Sequence, residues 1–276
     1  MAKKTGLLIS GGGSKTAWMA GTLGALAEIH EFIADVIICG SGSTVSAAHY
    51  LYRDIKSLEM AWKEGKVADK NFISYKRMPW NWVDLDYLLY DICGKQIPFN
   101  EQAYLESATK LFIAATNRNT GEVEYFEKPH PDNLPEVCKA SCAIPGLKWG
   151  GVGINGEIYC DTYISSSPFF HKKKAKQEGI ERNIIISPGK HNKITTRLEK
   201  YWVKTMPKEF QKRYYEQQEE ARSLENNMGN EEMLIIPKTP LIIDTFSRDA
   251  EEMKEAYLQG YSEVASDKNL IEFLKE

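Results

Sequence analysis

Asp35-Val36-Ile37-Ile38-Cys39-Gly40-Ser41-Gly42-Ser43-Thr44-Val45-Ser46-Ala47-Ala48 is the stretch on which the reading of this chain turns. Val36 to Cys39 is apolar without polar alternation, which suits a strand buried on both faces of a parallel sheet. Glycine and serine break the run, and small residues from Val45 onward read as the start of a helix. The same grammar occurs upstream. Thr5-Gly6-Leu7-Leu8-Ile9-Ser10 stops at Gly11-Gly12-Gly13, and Leu23, Leu26 and Ala27 fall at helical spacing in a helix expected over 17–30. Strand, glycine turn, helix, strand, glycine turn, helix is a βαβ unit, which predicts an α/β fold with a mainly parallel sheet.

Working outward, residues 54–110 read as mostly helical, with an aromatic stretch from Tyr75 to Tyr90 that contains Met78-Pro79-Trp80-Asn81-Trp82. That stretch suits either core packing or the lining of an apolar groove. Strands over 110–116 and 122–126 flank the turn cluster Asn117-Arg118-Asn119-Thr120-Gly121 and form a hairpin. A short helix over 134–142 ends at Pro145-Gly146, and Ile154-Asn155-Gly156-Glu157-Ile158-Tyr159 is a second, tight hairpin with Asn-Gly in its turn. Residues 183–187 and 233–237 are further buried-strand candidates. Between them lies a charged helical insertion over 194–229, and the chain closes with amphipathic helices over 250–274. No repeat or linker divides the sequence, so residues 1–276 are expected to form one domain.

Composition narrows the function classes. In 276 residues, 42% are hydrophobic and 26% charged, as in a globular chain with a sizeable core. The net charge of −3 supplies no basic field for nucleic acid. No run approaches the roughly 18 consecutive apolar residues of a transmembrane helix. After Met1-Ala2-Lys3-Lys4 the apolar run is only Leu7-Leu8-Ile9, too short for a signal-peptide core. Five scattered cysteines (39, 93, 138, 142 and 160) show no zinc spacing. They read as reduced thiols of a cytoplasmic protein without a metal or other cofactor.

The two glycine turns carry the chemistry. Each lies between a strand and a helix, where unpaired N–H groups and the helix dipole favour negative charge. Gly11-Gly12-Gly13-Ser14-Lys15-Thr16 is not a nucleotide-binding P-loop, because Ser14 stands where the glycine before the lysine is needed and Ile9 where the loop should open. Cys39-Gly40-Ser41-Gly42-Ser43 resembles a nucleophile elbow, in which a serine sits on a strained strand-to-helix turn between small residues two before and two after. Ser41 as nucleophile puts Cys39 and Ser43 at those positions; Ser43 as the alternative nucleophile puts β-branched Val45 there, a poorer fit. A serine nucleophile needs a base, and Asp161, at the end of the second hairpin, is the prime choice. The chain order Ser41, Asp161, then His171 or His191 also matches a serine triad. Phe169-Phe170-His171-Lys172-Lys173-Lys174 is either a patch for an anionic membrane surface or a solvated basic helix start.

These residues resemble the patatin-like phospholipases, a family of serine acyl hydrolases with a Ser–Asp dyad, and in particular a bacterial subfamily of about this length. Gly11-Gly12-Gly13-Ser14-Lys15 is similar to the family's oxyanion loop, and Cys39-Gly40-Ser41-Gly42-Ser43 aligns with its Gly-x-Ser-x-Gly. Ala140-Ser141-Cys142-Ala143-Ile144-Pro145-Gly146 is similar to its Ala-Ser-x-Ala-x-Pro segment, and Asp161 sits at its dyad aspartate. The chain departs from the pattern at Cys39, Ser43 and Thr162, each of which replaces a glycine. The resemblance implies a three-layer α/β/α patatin-like domain that hydrolyses acyl esters of lipids or phospholipids. Ser41 would attack, Asp161 would take its proton, and Gly11, Gly12, Gly13 and Lys15 would form the oxyanion hole, with no metal or cofactor. Its partner would be a lipid or acyl ester, met in the cytoplasm or in peripheral contact with a membrane. A weakly active lipid- or acyl-binding protein and an acyltransferase are the alternatives.

Overall fold

A computed structural model describes residues 3–77, 83–145, 151–189 and 193–275. The two glycine turns end adjacent parallel strands, β1 (Thr5–Ile9) and β2 (Val36–Gly40), paired from Gly6 with Val36 to Ile9 with Cys39. Helices α1 (Thr16–Glu28) and α2 (Ser43–Tyr50) follow them. The stretch expected to be mostly helical is broken into short pieces: α3 (Ile55–Leu58), π-helical turns at Glu59–Lys63 and Tyr87–Cys93, and α4 (Glu101–Glu106). Gly65, with φ of 71°, ends the first group, and Asn100 caps α4 by accepting the Ala103 N–H at 3.0 Å. Met78 to Trp82, Gly146 and His191 lie outside the described residues.

Next come β3 (Lys110–Asn117), β4 (Val123–Glu127), α5 (Leu134–Ser141), β5 (Val152–Ile154), β6 (Glu157–Cys160) and α6 (Pro168–Gln177). The remainder is β7 (Arg182–Ile186), α7 (Lys193–Val203), α8 (Lys208–Asn226), β8 (Glu232–Ile235), α9 (Ala250–Ala265) and α10 (Lys268–Lys275). The sheet runs β5-β6-β3-β2-β1-β7-β8, with β4 also paired to β3. The five strands from β3 to β8 are mutually parallel, and β4, β5 and β6 run antiparallel to their neighbours.

Strand alternation explains the layers. Leu7, Ile9, Ile37, Leu111 and Ile184 point to one face and pack with α1 and α9, through Trp18, Leu23 and Tyr257. Leu8, Ile38, Phe112 and Ile185 point to the other and meet Phe169 and Ala175 of α6. Each such side chain is worth about 1.5–3 kcal/mol when fully buried. The result is a mostly parallel central sheet with helices on both sides, the expected three-layer α/β/α arrangement. Helix α9 approaches α1 so closely that a Cβ on Gly21 would lie 1.9 Å from the Tyr257 carbonyl oxygen. Among the described residues no helix is long and apolar enough to cross a membrane.

The lysines of the basic run on α6 are paired within the chain. Phe169 and Phe170 are buried. Lys172 pairs with Glu232 at 2.8 Å, Lys173 with Glu220 at 2.9 Å and Lys174 with Glu178 at 2.7 Å.

One feature of register positions the site. Over residues 112–114, β3 is flanked by β2 on one edge and β4 on the other. β4 still holds that edge at Thr116, so β6, which pairs there through Cys160, lies on the edge of β2 beyond its end. Gly40 is level with Ala114, and Cys160 with Thr116. The two strands therefore run toward each other along one edge of β3, and the residues that follow, Ser41 and Asp161, meet in the gap.

Candidate active site

Ser41 occupies the left-handed region with φ of 56°, unusual for a residue with a Cβ and typical of strain held at a functional turn. Its N–H donates to Ser141 Oγ at 2.8 Å, and the Ser141 hydroxyl donates to the Ala114 carbonyl at 2.6 Å. One side chain at the end of α5 thus clamps the bend to β3. This gives the serine of the Ala-Ser-x-Ala-x-Pro segment a physical task that the sequence reading lacked.

The need for smallness has moved along the elbow. A Cβ on Gly40 would lie 2.3 Å from the Ser165 carbonyl oxygen, and one on Gly42 would lie 2.9 Å from Thr16 Oγ1 and 3.1 Å from the Gly13 nitrogen. Close approach is therefore demanded one residue before and one after the serine, where this chain has glycine. Cys39 is accommodated as an interior residue of β2. Ser43 turns inward: it is fully buried, and its Oγ donates to the Gly40 carbonyl at 2.8 Å as α2 begins. That geometry does not present Ser43 to a ligand.

Asp161 is buried, and its N–H donates to the Ala143 carbonyl at 2.9 Å. Ser166 donates to its Oδ1 at 2.5 Å, and the nearby Ser41 and Ser165 hydroxyls favour its ionised form. Burial dominates and pushes the Asp161 carboxyl up to about 7, against the pull of these hydroxyls and with a further push from Glu199. A carboxyl in that range is suited to exchange protons at neutral pH. Thr162, in place of a glycine, faces β3, where its hydroxyl meets that of Thr116 at 2.8 Å.

In the glycine loop, the N–H of Gly11 is engaged with the Ser166 carbonyl at 2.9 Å. Gly11 is therefore a link between β1 and the Asp161 loop and has no free donor, contrary to the sequence expectation. Among the described residues no acceptor takes the N–H of Gly12 or Gly13. The loop presses on the elbow, since a Cβ on Gly11 would come within 2.8 Å of Ser41 Cβ. Lys15 lines the same pocket; burial lowers its pKa, opposed by Asp244.

Two cavities meet at Ser41. One is the more polar and is lined by Gly11 to Gly13, Lys15, Asp161 and Glu199. The other is walled by Trp62, Val67, Phe72, Leu88, Phe246 and Met253. Ser41, Gly13, Ile144 and Thr245 belong to both. His171 lines neither: it is fully buried, 3.3 Å from the Tyr125 hydroxyl, and burial pushes it down to about 3. It cannot complete a triad. Among the described residues no cluster of metal-binding side chains occurs. Sequence reasoning missed Ser141, Ser166 and Glu199. The serine run just after Asp161 was a usable signal for Ser166; nothing local marks Glu199.

A serine on a strained strand-to-helix bend, with a carboxylate beyond it and bare amides beside it, is an arrangement shared by α/β hydrolases that use a serine nucleophile. A sequence profile described as patatin-like phospholipase matches residues 7–171, more than half of the chain, which therefore belongs to that family of lipid acyl hydrolases. The fold is also similar to the crystal structure of VipD from Legionella pneumophila, at 12% identity and a TM-score of 0.48, over 99% of this chain and 67% of that one. No curated protein matches the chain by sequence.

Proposed function

We propose that the protein is a serine acyl hydrolase that cleaves acyl esters of lipids through Ser41 and Asp161. Asp161 takes the proton of Ser41 Oγ, and Oγ attacks the ester carbonyl. The amides of Gly12 and Gly13 hold the resulting oxyanion, and Lys15 adds positive charge beside the loop. Collapse expels the alcohol, which takes the proton back from Asp161, and leaves an acyl-enzyme. Water, activated by Asp161, then releases the acid. The acyl chain occupies the apolar cavity and the alcohol part of the substrate the polar one. The observation that carries the reading is that the strained serine stands where these two cavities join. We also read residues 1–276 as one domain, supported by the packing of α9 against α1 within the main core.

A fluorophosphonate probe tests the proposal. Wild-type protein should label on Ser41 and hydrolyse long-chain acyl esters, and Ser41→Ala should lose both. Labelling that survives Ser41→Ala would refute the assignment.

A further inference from the structure

The polar cavity holds a second buried carboxylate that the dyad does not use. Glu199, on α7, is only 8% exposed and lines the cavity with Ser41 and Asp161. Its Oε1 accepts the Tyr163 N–H at 2.8 Å and the Tyr214 hydroxyl at 2.6 Å. Tyr163 lies two residues beyond Asp161, and Tyr214 lies on α8. One carboxylate oxygen thus ties together the Asp161 loop, α7 and α8. A glutamine would accept both bonds without the cost of burying an acid. What the acid adds to these two bonds, when ionised, is a negative charge in the cavity that Asp161 also lines.

Building on the Ser41–Asp161 reading, we propose that Glu199 is a positioning residue: it fastens the loop that carries Asp161 and opposes Asp161 with a like charge that keeps it basic. Asp161 is faced by Glu199, Cys160 of β6 and Cys142 beyond α5. Glu199 is faced by Asp161, Cys160, Tyr163, Tyr214 and the cationic Lys200. Burial raises both thiols and both phenols, so they stay neutral through the working range. Glu199 itself is pushed up to about 7, by burial first, against its two tyrosine hydrogen bonds and Lys200. Asp161 and Glu199 line one cavity, and the Glu199 charge raises the Asp161 carboxyl further.

Glu199→Gln removes the charge and keeps the acceptor; Glu199→Ala removes both. Carbon-13 NMR of labelled aspartate carboxyls, with the Asp161 signal identified by its loss in Asp161→Asn, reads the titration directly. In Glu199→Gln the Asp161 midpoint should fall by at least about half a pH unit, roughly a threefold change in acidity. The acidic limb of kcat/KM should move with it. Glu199→Ala should lose kcat roughly tenfold across the pH range with KM little changed, and Glu199→Gln should recover most of that loss above pH 8. An unmoved Asp161 midpoint in Glu199→Gln, or a Glu199→Ala enzyme as active as Glu199→Gln, would overturn the proposal. The NMR titration needs no turnover. A Ser41 that fails to label would therefore sink the dyad and leave the Glu199 result readable.

Discussion

Replacing Asp161 with asparagine should stabilise the protein at alkaline pH while silencing it. The carboxyl has an ordinary value of 3.8 and is lifted to about 7 in the fold, chiefly by burial. The folded state therefore holds the proton more tightly than the unfolded chain. Its contribution is fully present below pH 4, is lost as pH rises from about 4 to 7, and changes no further above that. Relative to a group that does not titrate, the cost is about 2 kcal/mol at pH 5 and about 4 kcal/mol at pH 8.5. Asparagine also changes the hydrogen bond from Ser166, but that effect does not depend on pH and cancels between the two measurements. Urea unfolding of wild type and Asp161→Asn at pH 5 and pH 8.5 isolates the titration. The variant should gain about 2–3 kcal/mol on going to the higher pH, roughly 5–10 °C in Tm. Hydrolysis should be lost at both. A stability difference that is the same at the two pH values would mean the carboxylate bears no burial cost, and the case for a base tuned by burial would fail.

Other consequences follow from the same geometry. Ser41→Gly should abolish fluorophosphonate labelling yet raise stability by about 1 kcal/mol in urea titration, because glycine adopts a φ of 56° without strain. Ser141→Ala strands the buried Ser41 N–H and the Ala114 carbonyl; a loss of about 2–3 kcal/mol and slower labelling are expected, and an unchanged melting curve would count against the clamp. Ala61 lines the apolar cavity, so Ala61→Phe should cut turnover of sixteen-carbon esters by roughly tenfold more than that of four-carbon esters; equal effects would place the acyl chain elsewhere. In wild type, kcat/KM should climb with pH through about 7 as Asp161 ionises, and a flat profile from pH 5 to 8 would exclude Asp161 as the base.

The order of elements and the two glycine turns were legible in the sequence, because a strand buried on both faces writes itself as an unbroken apolar run and a sharp turn demands residues without bulk. Ile37-Ile38-Cys39 before Gly40, and the Asn155-Gly156 hairpin before Asp161, needed only local rules. What local rules did not reach was register. Only the pairing of Cys160 with Thr116 and of Gly40 with Ala114 brings a serine and an aspartate 120 positions apart into one gap. The same limit explains the misreadings. Gly11 looks like a donor until the Ser166 carbonyl takes its hydrogen, and the pairing of Lys172 with Glu232 and of Lys173 with Glu220 is visible only in the fold. Glu199 stands in a charged, outwardly ordinary helix, and nothing in its neighbours along the chain marks it. Burial, which makes it and Asp161 chemically unusual, is a property of the whole packed molecule: desolvation depends on what surrounds a group in space, and the sequence records only what precedes and follows it.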